Sequence, residues 1–184
     1  MRILVAYASR AGSTKGIAEF IGEKLRGHGM EVDVVEVGSV KDPRGYDGYV
    51  VGSAVYMFHW MKEAKEFVRQ NGDLLSSRPT WLFSSGPTSP KATDAKGRDL
   101  KEVSGPSELS ELTQAAHPRG HRVFFGALYG DRLTGATGFT YRLMRRSKTV
   151  AKEMPEGDYR DWKDIERWTD EIAAALAPKP SVSP

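Results

Sequence analysis

Ser9, Ser13 and Thr14 place three hydroxyls around Gly12 in the turn Ser9-Arg10-Ala11-Gly12-Ser13-Thr14. Hydroxyls at that spacing suit the binding of a phosphate. The turn follows an apolar run, Ile3-Leu4-Val5-Ala6-Tyr7-Ala8, and precedes a helical pattern with Ile17, Ile21 and Leu25 on one face. In a strand–turn–helix of this kind the backbone N–H groups and the positive end of the helix converge on an anion. Gly12 lets the chain turn sharply and approach a phosphate closely. Neither G-x-x-x-x-G-K-[ST] nor a G-x-G-x-x-G after a strand is present. A plain helix cap needs one hydroxyl rather than three.

Two further segments could work with that turn. Ser53-Ala54-Val55-Tyr56-Met57-Phe58-His59-Trp60 offers an aromatic and apolar wall for a flat ring, and Ser84-Ser85-Gly86-Pro87-Thr88 offers small groups and amides for a ring edge. His59 is the histidine nearest this wall, with two readings: a proton relay, or a packed or solvent-facing side chain. His117 and His121 are four apart, but Pro118 and Gly120 preclude a helical metal pair. The serines lack a histidine–carboxylate pattern for hydrolysis.

These segments need a scaffold that brings them together. Strand patterns run over 3–8, 31–37, 48–53, 79–84 and 122–128, and helical spacing links Met61, Ala64, Phe67 and Val68, then Ile165, Trp168, Ile172 and Leu176. Alternating strands and helices predict a doubly wound α/β sandwich of three layers, with a parallel sheet in the order 2-1-3-4-5. Its ligand would sit beyond the carboxyl ends of strands one and three, where the winding reverses. Asp161 and Trp162 read as the cap and first packing contact of the last helix. Residues 87–106 read as a long mobile polar loop, followed by an amphipathic helix at 108–116. Residues 1–177 read as one domain and 178–184 as a disordered tail.

The 184 residues are 39% hydrophobic and 28% charged, with a net charge of +3 and no cysteine. Disulfides, Cys-ligated zinc, iron–sulfur clusters and thiol redox chemistry are therefore excluded, and a cytoplasmic protein is expected. The opening apolar run is too short for a leader, and the longest uncharged stretch is too short to span a membrane. So small a charge does not argue for nucleic acid. Its distribution is uneven: Arg132, Arg142, Arg145, Arg146, Lys148 and Lys152 come with no acidic residue between them. This basic insertion before the last helix has three readings. It binds acidic groups of a substrate, steers the protein to the inner face of an anionic membrane with Phe139, Leu143 and Met144 inserted, or is a solvated helix face.

The Ser9–Thr14 turn, together with this strand order and these loops, resembles the flavodoxin superfamily. Within it, Gly52-Ser53-Ala54-Val55-Tyr56 with His59 behind, the insertion Tyr141-Arg142-Leu143-Met144-Arg145-Arg146, and Asp161-Trp162 are similar to the menaquinone-dependent protoporphyrinogen oxidase group. The resemblance implies an FMN cofactor. It assigns Ser9, Arg10, Ala11, Gly12, Ser13 and Thr14 to the phosphate. It assigns Ser53, Ala54, Val55, Tyr56 and Met57 to one side of the ring, with Tyr56 stacked, and Ser84, Ser85, Gly86 and Pro87 to its other edge. It further implies an oxidoreductase acting on a small-molecule redox substrate, a porphyrinogen or a quinone, with His59, Arg142, Arg145 and Arg146 facing substrate or membrane. The alternatives are a flavodoxin-type electron carrier and an NAD(P)H-linked quinone reductase.

Overall fold

A computed structural model of the chain describes residues 1–89, 91–132, 135–144, 146–147 and 156–177. Strand β1 (Arg2–Ala8) lies between β2 (Glu31–Glu36) and β3 (Gly48–Tyr56). Beyond β3 come β5 (Thr80–Ser85) and β6 (Gly120–Phe124), and all four neighbouring pairs are parallel. This is the predicted five-strand order. A short strand β4 (His59–Trp60) adds an antiparallel partner to the end of β3.

Helices cover both faces, and the period of two along β1 explains how. Ile3 and Val5 point to one side, where α1 (Ser13–Gly27) and α7 (Trp162–Leu176) bring Ile17, Ile21, Leu25, Ile165, Trp168 and Ile172. Leu4 and Ala6 point to the other, against α2 (Lys62–Gln70), α3 (Gly72–Ser76) and α5 (Leu109–Ala116). Central strands buried on both faces must be apolar throughout, and every residue of β5 is buried. Gly52 and Phe83 are register partners, and a Cβ on Gly52 would fall 2.0 Å from the Phe83 ring. Only glycine leaves that ring its place.

The end of the sheet differs from the sequence expectation. The fifth strand stops at Phe124, and β7 (Ala127–Leu128) turns away to pair antiparallel with β8 (Gly157–Asp158). Residues 87–106, expected to be a long mobile polar loop, contain local order. The Asp94 side chain accepts the N–H groups of Lys96 and Arg98, Asp99 caps α4 (Leu100–Val103), and Lys101 reaches Asp164 of α7 at 2.6 Å. Aspartates at turn and cap positions compete well for backbone donors, which is why this polar segment orders.

Asp161 caps α7 through the Asp164 N–H at 3.1 Å, and the Trp162 ring packs on Phe20. Within the basic insertion lies α6 (Gly135–Met144), with Tyr141 buried and Phe139, Arg142, Leu143 and Met144 exposed, as is Arg146 just beyond it. Arg145, Lys148, Lys152 and residues 178–184 lie outside the described residues, so the expectations attached to them are not addressed. No described helix is long and apolar enough to cross a membrane.

Candidate functional site

The amino end of α1 is built for an anion. Gly12 precedes the helix at φ 84, a left-handed conformation that glycine takes without a steric penalty. No side chain caps the helix and no acidic residue occupies its first turn, so the helix dipole there is not neutralised from within. The Gly12 N–H donates to Ser9 Oγ at 3.1 Å, which closes the turn and leaves the Ser9 hydroxyl proton available. Ser13 Oγ accepts the Ala127 N–H at 2.8 Å, tying the turn to β7. Thr14 is fully buried and its Oγ1 has no hydrogen-bond partner among the described residues. A buried hydroxyl without a partner costs about 1–3 kcal/mol, so this one points to a ligand.

This turn opens into a cavity of about 340 Å³. Ser9, Ala11, Ser13 and Thr14 line one end; Ala54, Val55, Tyr56, Met57 and Phe58 form one wall; Ser85, Gly86, Pro87 and Thr88 form another. The three segments selected from the sequence therefore meet in one place. Among the described residues no aspartate or glutamate is part of this lining.

Four of the expected residues are not part of this lining. Arg10 lies with its guanidinium 5.2 Å from the centre of the Tyr56 ring. Gly12 contributes backbone geometry alone. Ser53 and Ser84 are fully buried register partners that face the helices α2 and α5 rather than the cavity. Their hydroxyls build the base of the β3–β4 hairpin. Ser53 Oγ accepts the Met61 N–H at 3.0 Å, and Ser84 Oγ accepts the Trp60 indole N–H at 2.8 Å. Successive strand residues point to opposite faces, so Ser85 enters the cavity because Ser84 does not.

Ser84 also meets His121 Nε2 at 2.8 Å. The indole can only donate, and Ser84 Oγ keeps a second lone pair as well as its proton, so a neutral imidazole can meet it in either tautomer. Burial pushes the His121 imidazole down to about 4, which agrees with the neutral ring.

The hairpin tip is strained. Val55 pairs with Trp60 and Tyr56 with His59, leaving Met57 and Phe58 as a two-residue turn with φ 49 and 65. Positive φ at both positions matches the twist of a hairpin and normally selects Asn-Gly. For bulky residues it costs of order 1–3 kcal/mol each. The tip is held by the Ser107 N–H, which donates to the Phe58 carbonyl at 2.8 Å. His59 Nδ1 bonds Glu108 Oε1 at 2.8 Å on the outside of the hairpin, and Lys65 reaches the same oxygen at 2.7 Å. Burial pushes the Glu108 carboxyl up, but these two donors outweigh it and bring the group to about 2. His59 is thus a strut between hairpin and α5 and is not part of the cavity lining.

Ser104, Gly126, Ala127 and Leu128 complete the cavity and were not singled out from the sequence. Gly126 carried a signal, a glycine inside a strand-like run, which marks a break in the ladder. Ser104 carried none, because a segment far along the chain brings it in. Burial raises the Tyr56 phenol, so the ring on this wall is neutral. Among the described residues no group of three or more metal-ligating side chains occurs.

Residues 4–154 match the family model of the flavodoxin domain. The chain is 25% identical over 185 residues to the Escherichia coli (strain K12) "Protoporphyrinogen IX dehydrogenase [quinone]", covering 99% of each protein. Among solved structures it is similar to oxidised Flavodoxin 2 from Bacillus cereus, at TM-score 0.59 and 17% identity over 96% of this chain and 100% of that one. A flavodoxin from the domain Archaea gives TM-score 0.55 at 17% identity, over 95% and 98% of the two chains. At such identities the structural likeness is one of fold.

Proposed function

Because the chain belongs to the flavodoxin domain family, we propose that it is an FMN-dependent oxidoreductase of the protoporphyrinogen-dehydrogenase type. It takes reducing equivalents from an organic substrate and passes them to a quinone. A flavodoxin domain implies a flavin. The observation that carries the choice of FMN is the buried Thr14 hydroxyl, without a partner at the uncapped start of α1. A phosphate oxygen would satisfy it, and riboflavin has none to offer.

Ser9, Ser13, Thr14 and the N–H groups of the turn would hold the phosphate. Ala54, Tyr56 and Met57 would face the ring from one side, with Ser85, Gly86 and Pro87 at its other edge. The bound flavin would supply the capacity to take and give two electrons. Around it, the chain provides an environment that favours negative charge on reduction: among the described residues no carboxylate lines the cavity, and the Arg10 cation lies on Tyr56. A comparatively high flavin potential follows, suited to accepting electrons from an organic substrate. Residues 1–177 serve as the flavin-binding domain. The 25% identical relative, whose name contains both protoporphyrinogen and quinone, supports the substrate pair. Exposed Phe139, Leu143 and Met144 beside Arg142 and Arg146 support peripheral contact with an anionic lipid surface.

Purified protein supplied with FMN should develop bound-flavin absorption, and anaerobic addition of protoporphyrinogen IX should bleach it. FMN uptake without bleaching would leave an electron carrier. Bleaching by NADPH in place of the porphyrinogen would favour the quinone-reductase alternative.

A further inference from the structure

Phe58 is a residue for which the fold itself provides no reason. It occupies a position with φ 65, where glycine is favoured, and its side chain is 57% exposed. Neither turn geometry nor core packing selects a phenylalanine there. Yet Phe58 lines the cavity, next to Met57, which is 89% exposed.

The tip that carries it is not a loose loop. Trp60 is bonded to Ser84 at the base, His59 to Glu108 on the flank, and the Ser107 N–H to the Phe58 carbonyl itself. These contacts hold a strained backbone so that an aromatic ring faces outward at the cavity mouth. Strain maintained in this way marks a position placed for contact. Deeper in the same wall, Tyr56 is partly buried beside Arg10 and is the residue available to the flavin. Phe58 stands one step further out, where a second molecule would arrive. An exposed phenyl ring gains free energy by covering a flat apolar partner and little by meeting a hydrated ion.

We propose that Phe58 is a specificity-determining residue for the electron acceptor, forming the apolar wall against which an uncharged planar ring compound of the quinone class docks. This rests on the FMN reading above. In the transfer, the quinone takes up two electrons and two protons to become a hydroquinone while the flavin is reoxidised.

The test compares the wild type with Phe58→Gly and Phe58→Leu, each reconstituted with FMN and reduced anaerobically. Stopped flow then follows reoxidation by menadione and by ferricyanide, a hydrated anion that takes one electron per ion while protons leave to solvent. The ratio of the menadione to the ferricyanide rate constant should fall about tenfold in Phe58→Gly, the loss expected from removing a large apolar contact, and recover in Phe58→Leu. The melting temperature of the apoprotein should hold or rise in Phe58→Gly, because glycine adopts positive φ freely. An unchanged ratio in a variant that binds FMN would overturn the inference, as would equal slowing with both acceptors. A sharp fall in apoprotein melting temperature would make Phe58 structural and overturn it too. Failure of the wild type to take up FMN would instead remove the flavin reading, and this inference with it.

Discussion

His121 Nε2 lies 2.8 Å from the Ser84 hydroxyl, whose oxygen in turn accepts the Trp60 indole N–H at 2.8 Å. Three side chains from three strands thus share one line of hydrogen bonds, which a neutral imidazole can join in either tautomer. Burial pushes this group from 6.5 to about 4. The unfolded chain takes up the proton near the upper value, the native chain only near the lower. Stability contributed by the neutral ring is therefore whole above about 6.5 and is lost as pH falls toward about 4. Near pH 5 the loss is about 2 kcal/mol. Urea titrations of wild type and His121→Gln near pH 7 and near pH 5 should differ by this amount in their pH dependence. Identical dependence would mean the imidazole is not held neutral.

Thr14→Val keeps shape and removes the hydroxyl. A hydrogen bond to a charged group is worth about 1.5–3 kcal/mol, so FMN affinity should drop about ten- to a hundredfold. Riboflavin, which lacks the phosphate, should be affected much less. Fluorescence titration with both compounds distinguishes them, and parallel losses would argue that Thr14 acts on the ring or the fold.

Gly52→Ala should destabilise the protein by roughly 1–3 kcal/mol or more, because the new methyl meets the Phe83 ring between two central strands. A companion change, Phe83→Leu, should recover part of the loss. Denaturant unfolding of the single and double variants measures the coupling, and strict additivity would mean the clash is relieved elsewhere.

Co-sedimentation with vesicles rich in phosphatidylglycerol should weaken when Arg142 and Arg146 are both changed to Gln, with a loss of about 1 kcal/mol per charge. Vesicles of neutral lipid should bind weakly in either case. Unaltered sedimentation would leave α6 as a solvated face.

Sheet order and the meeting of three loops were legible because periodicity and the winding reversal dictate them. Ile3, Val5, Leu4 and Ala6 alternate in sequence as they do in space. The roles of Ser53 and Ser84 were not read from composition, although strand periodicity sets Ser84 and Ser85 on opposite faces and so allows only one of the two into the cavity. The β3–β4 hairpin was hidden for a different reason. Met57-Phe58 is the opposite of the pair that announces such a turn, and only the surrounding contacts impose it. The departure of the chain after Phe124 depends on β8, some thirty residues later, which no local pattern near Gly126 specifies. Order within 87–106 was partly visible in Asp94 and Asp99, whose turn and cap chemistry is local.

Ser13 gives its oxygen to the Ala127 amide and keeps a single proton to offer. The same atom therefore closes a seam between the beginning of the first helix and the short ribbon that leaves the sheet after Phe124, so the receptor is assembled in advance of its guest. Loading should accordingly be a one-step encounter whose rate rises in proportion to the concentration of added cofactor, with no slow rearrangement trailing behind.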